Sequence, residues 1–89
     1  MKVCKRVVYA GEVQGVGFRY TTRGLAQGFA VTGFVRNMPD GQVELLAEGE
    51  PDEVDRFLEE VGRRMAENIA ARQVLDVPLH NFEGFEIRR

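Results

Sequence analysis

The tripeptide Pro39-Asp40-Gly41 lies between two runs of alternating residues, and nothing else in the chain constrains the fold as strongly. Proline presets one backbone dihedral and glycine permits a positive one, so the segment forms a tight turn. The runs on either side, Val31 to Met38 and Gln42 to Glu48, then pair as a hairpin. In the second run Val43, Leu45 and Ala47 alternate with Glu44, Leu46 and Glu48, which predicts one mostly buried and one partly wet face. Val54, Phe57, Leu58, Val61 and Met65 follow as a helical stripe, the clearest 3.6-residue periodicity in the sequence. Pro51 suits the first turn of that helix, Asp52 and Glu53 complement its dipole, and Arg63 and Arg64 lie near its end. Where it stops is open, because Met65 to Arg72 could extend it.

Val3 to Ala10 is rich in valine and ends at Gly11, which predicts a first strand. Phe18 to about Gln27 predicts a first helix. Leu25 and Phe29 fall in line with Thr21, Ala26 lies beside them, and Gly28 supplies a left-handed stop. Val74 to Leu79 and Phe82 to Arg88 predict two closing strands, with Phe85 and Ile87 on one face. The expected fold class is α+β, a ferredoxin-like βαββαβ sandwich with an antiparallel four- to five-stranded sheet and two helices on one face. That architecture hosts many activities, so it does not choose among them.

With 89 residues the chain is expected to form one domain over residues 1–89. The formal net charge is -2. A mildly acidic chain is a poor default binder of nucleic acid or of anionic membranes, so any anion site must be local. The single cysteine, Cys4, can neither staple the fold nor build a zinc cluster. No charged-then-apolar leader and no run of membrane length appear, and a cytoplasmic location is expected.

Gly11-Glu12-Val13-Gln14-Gly15-Val16-Gly17-Phe18-Arg19 carries the chemistry. Such a loop lets several backbone N–H groups converge without side chains in the way. The following helix adds its positive end, and Arg19 adds a planar fork of donors suited to phosphate oxygens. The segment reads as a cradle for one phosphoryl group. It matches neither the dinucleotide nor the nucleoside-triphosphate glycine pattern. Asn37, at the end of the second strand, has two readings. Its amide can satisfy the turn backbone, or it can hold a water or a substrate oxygen. The residues after Cys4 lack the cradle that a thiolate phosphatase needs, and no feature lowers its pKa. His80 has no second ligand at useful spacing and reads as a strand-end or surface residue rather than a metal ligand. The six phenylalanines read as core or sheet aromatics, with Phe18 also packing beneath the cradle.

Together the two segments resemble the acylphosphatase family. Its first motif, Gly-x-Val-Gln-Gly-Val-x-Phe-Arg, is matched from Gly11 to Arg19. Its second, Gly-aromatic-small-x-Asn followed by a spaced Gly-x-Val and a later Gly, is matched by Gly33, Phe34, Val35, Asn37, Gly41, Val43 and Gly49. The resemblance spans nearly the whole chain. Tyr9 departs from it, standing where the family usually has an aliphatic residue, and the path from Arg72 to Asn81 is hard to align. The resemblance implies hydrolysis of acyl phosphates to carboxylate and inorganic phosphate, with no metal or organic cofactor. It implies that Arg19 binds the phosphoryl group and that Asn37 positions the attacking water. The backbone of Gln14, Gly15, Val16, Gly17, Phe18 and Arg19 would form the cradle. Units like this also occur fused in larger proteins that handle carbamoyl phosphate, whereas this chain ends after its own last strand. The partners expected are a small acyl phosphate and its phosphate product, with no nucleic acid and no membrane, and a monomer is the simple expectation. Two rivals are a non-catalytic phosphate- or acyl-phosphate-binding module on the same scaffold, and a nucleic-acid-binding domain on a related sheet.

Overall fold

The computed structural model describes residues 1–89. Its elements are β1 (Val3–Gly11), α1 (Phe18–Ala26), β2 (Val31–Asn37), β3 (Val43–Gly49), α2 (Pro51–Arg64), β4 (Ile69–Val77) and β5 (Phe85–Arg88). The strands form one sheet in the order β4-β1-β3-β2-β5. β1 pairs antiparallel with β3 and β4, and β2 pairs antiparallel with β3. The fold is the ferredoxin-like sandwich, with one departure from an all-antiparallel sheet. β5 runs parallel to β2, with Gly33 opposite Phe85 and Arg36 opposite Arg88. The chain leaves β4 at one edge and crosses to the other through residues 78–84, which turns it into line with β2.

Both helices cover one face. Val7 and Tyr9 of β1, Val35 of β2 and Val43, Leu45 and Ala47 of β3 meet Phe18 of α1 and Val54, Phe57 and Val61 of α2 in a single core. Phe57 packs edge-on against Phe85, with ring centroids 5.5 Å apart. Burying a side chain of this kind contributes about 1.5–3 kcal/mol. On α1 the deepest row is Phe18, Thr22 and Ala26, and the Thr21, Leu25, Phe29 row flanks it. Gly28 does not adopt a left-handed conformation. The helix ends instead in tightened turns, with the N–H groups of Gln27, Gly28 and Phe29 donating to the carbonyls three residues back.

The course after α2 also differs from expectation. The helix stops at Arg64, and β4 begins at Ile69 rather than Val74. Residues 69–72 pair with the outer half of β1, Ala71 against Ala10 and Arg72 against Tyr9. That pairing outweighs the helical propensity of an alanine-rich segment. The expected wet face of β3 is also buried, because the Arg6 and Arg36 side chains and the segment after β4 cover it. Glu44 is held there by Arg6 and Arg36, each with its Nε 2.5 Å from a different carboxylate oxygen. Glu48 accepts the backbone N–H groups of His80 and Phe82. At Gly33 the two strands leave no room for a side chain. φ is +146°, and a Cβ there would lie 1.9 Å from the Leu46 carbonyl oxygen.

Candidate active site

The loop between β1 and α1 turns on two glycines. Gly15 and Gly17 have φ of +76° and +79°, a region that glycine enters at little cost. Gly17 caps α1 without a side-chain hydrogen bond. The first N–H of the helix to reach a carbonyl is that of Thr21, which donates to Gly17 at 3.0 Å. The N–H groups of Phe18, Arg19 and Tyr20 are therefore the free donors of the helix N-terminus, where its dipole is positive.

Gln14 fixes this loop against the β2–β3 turn. Its Nε2 donates to the carbonyls of Met38 and Gln42, both at 2.8 Å. The turn is completed by Met38 N–H to Gln42 O, Gly41 N–H to Met38 O, and Gln42 N–H to the Asp40 carboxylate. The Asn37 amide enters none of these bonds, so the turn does not account for it. Phe18 is 1 % exposed and packs against Tyr9, centroids 4.9 Å apart, which seats the first turn of α1 on the sheet.

Between loop and strand lies a cavity of about 250 Å³, lined by Val13, Gly15, Gly17, Phe18, Arg19, Tyr20 and Asn37. Arg19 and Asn37, from different elements, thus face one space. Arg19 forms no ion pair with any carboxylate of the chain. Its fork and the converging N–H groups can bind a tetrahedral anion, and the Asn37 amide can orient a neighbouring oxygen. Of the expected cradle residues, Gly15, Gly17, Phe18 and Arg19 line the cavity. Gln14 turns its side chain to the β2–β3 turn, and Val16 is exposed at 44 %. Val13 and Tyr20 also line the cavity. Tyr20 was foreshadowed only by its place in the first turn of α1, beside Arg19.

The acylphosphatase family model matches residues 5–87. The chain belongs to the acylphosphatase family. An acylphosphatase of Acaryochloris marina is 45 % identical over 89 residues, covering 98 % of this chain and 95 % of that one. An acylphosphatase of Pseudomonas paraeruginosa is 42 % identical over 91 residues, covering 99 % and 98 %. The crystal structure of acylphosphatase from Bacillus subtilis superposes with a TM-score of 0.87 at 31 % identity, covering 98 % of this chain and 99 % of that one. The chain is accordingly an acylphosphate hydrolase.

Two further groups of the chain are set by burial. The Tyr9 phenol is pushed up to about 12 by burial, against the opposing pull of Arg72, which approaches it without closing a well-formed hydrogen bond. Tyr9 is thus a neutral packing residue beside the cradle. Burial, with Glu48 acting in the same direction, pushes the Cys4 thiol up to about 11. It lies on the other face of the sheet, away from Arg19 and Asn37. No helix is long and apolar enough to cross a membrane.

Proposed function

We propose that the cavity between Arg19 and Asn37 hydrolyses acyl phosphates by in-line attack of water at phosphorus. The observation that carries this reading is the convergence of a carboxylate-free Arg19, an Asn37 amide not used by the turn, and unpaired helix N–H groups on one small space. Arg19 and the loop N–H groups neutralise the equatorial oxygens, where charge gathers during phosphoryl transfer. Asn37 holds water on the side opposite the acyl oxygen. A bond forms from water to phosphorus as the bond from phosphorus to the acyl oxygen breaks. The water proton passes to a phosphate oxygen. The leaving carboxylate has a conjugate-acid pKa near ~4 and departs without protonation. This is consistent with a site that contains no histidine, cysteine or carboxylate.

The test is hydrolysis of benzoyl phosphate, followed by ultraviolet absorbance with chelator present, in wild type and Arg19→Ala. Run in ¹⁸O-water, the reaction is expected to place the label in phosphate. Label in benzoate would mean attack at the carbonyl carbon and would overturn the mechanism. Phosphate binding without turnover by folded wild type would favour the binding-module alternative.

A further inference from the structure

The face of the sheet opposite the helices carries a cluster that the reaction does not use. Cys4 of β1 and Glu48 of β3 are cross-strand partners, only 2 % and 3 % exposed. The segment that crosses this face after β4 brings His80 to them, with its Nδ1 3.9 Å from the Cys4 Sγ. One donor atom from each of the three residues lies within 4.8 Å of the other two. The His80 ring stacks on Phe82, with centroids 5.1 Å apart and planes inclined by 3°. Glu48 fixes the same segment, accepting the His80 N–H at 2.6 Å and the Phe82 N–H at 3.0 Å. Phe34, Leu46, Val77 and Phe82 wall the thiol from water.

We propose that Cys4, Glu48 and His80 form a site for a divalent transition-metal ion of the zinc class. A thiolate, an imidazole and a carboxylate are the donors such ions take together. A tetrahedral ion at ordinary zinc bond lengths sets its sulfur and nitrogen ligands about 3.5 Å apart. The distance present is only a few tenths of an ångström longer. Coordination by Nδ1 exchanges its 2.8 Å contact with the Pro78 carbonyl for the metal bond and leaves the ring proton on Nε2. The Glu48 bonds to backbone N–H groups persist, because each carboxylate oxygen has a second lone pair. Such bonds to a ligating carboxylate orient it. His80 is exposed and borders a depression of about 580 Å³, from which a water could reach the fourth position on the His80 side. Binding releases the thiol proton and ties β1, β3 and the crossing segment at one point.

The experiment is a Co²⁺ titration of the reduced, chelator-treated and desalted protein. Cys4 is the only cysteine, so a thiolate-to-cobalt charge-transfer band reports on it alone. The expected result is a band saturating at one ion per chain and displaced by Zn²⁺. It is lost in Cys4→Ser and weakened at least tenfold in affinity in His80→Ala. His80 is at the surface, and unchanged benzoyl phosphate hydrolysis by His80→Ala shows that this variant is folded. Absence of the band in wild type up to millimolar Co²⁺, or an unchanged titration in folded His80→Ala, overturns the proposal. Zn²⁺ is also expected to raise the Tm of wild type and not of His80→Ala.

Discussion

In the proposed reaction Arg19 and Asn37 would act differently on the same anion, and their substitutions are expected to separate. Arg19→Lys keeps the charge but loses the planar fork. Loss of one charge-assisted bond costs about 1.5–3 kcal/mol, so kcat/KM is expected to fall roughly ten- to a hundredfold, with weaker inhibition by phosphate. Asn37→Ala removes an oriented amide, and a barrier increase of about 3 kcal/mol is expected with phosphate inhibition nearly unchanged. Near-normal turnover by folded Asn37→Ala would remove the water from that residue's charge. Arg19 stood out as a candidate because a glycine loop enters a helix there, whereas the strand end before the turn left Asn37 with two readings, and only the family resemblance chose between them. Tyr20 was not legible, since an exposed aromatic in a first helical turn carries no such pattern. The Cys4, Glu48 and His80 cluster was illegible for another reason. Its members are far apart in the chain, and only the register of β1 on β3 and the path of residues 78–84 bring them together.

At the scale of elements, the loop and the β2–β3 turn form one unit through Gln14. Gln14→Ala removes two hydrogen bonds, and a stability loss of about 1–3 kcal/mol is expected. If the loop and Asn37 act together as proposed, the larger effect is expected on kcat, because the loop is no longer fixed relative to Asn37. A variant that lost stability without losing kcat would separate the anchor from the site. Gly33 tests the β2–β3 contact. Gly33→Ala forces a methyl group against the Leu46 carbonyl at a positive φ, and urea unfolding is expected to show a loss of about 2–6 kcal/mol. The hairpin and α2 were readable because turn chemistry and a five-residue stripe agree with the packing that forms. The start of β4 was not, because Ala66 to Arg72 contains good helix formers and no glycine or proline stop. The direction of β5 was not readable either, since a period of two is the same for parallel and antiparallel pairing. The burial of Glu44 and Glu48 escaped for a similar reason. Charges alternating with apolar residues signal a wet face unless distant partners supply their bonds.

For the molecule as a whole, the arginines around Glu44 are expected to contribute to its acid sensitivity. Burial raises its carboxyl pKa, but hydrogen bonds from Arg36 and Arg6 outweigh this and hold it below the usual glutamate range. A folded-state pKa below the unfolded value means the stabilisation is complete above about pH 4.3 and is lost as pH falls through the depressed value. Urea midpoints measured from pH 6 to pH 2 are expected to fall more steeply for wild type than for Glu44→Gln. Equal slopes would assign the acid sensitivity elsewhere. The strand order has a consequence of another kind, for the chain while it is being made. β1, β3 and β2 form the middle of the sheet, and both flanks are closed by strands that leave the ribosome after them. Until β4 and β5 emerge, the nascent sheet has two open edges, each able to pair with a neighbouring chain. At ~5–20 residues per second that interval lasts on the order of seconds, and it is the stage of synthesis at which crowded polysomes or a stalled ribosome would favour aggregation.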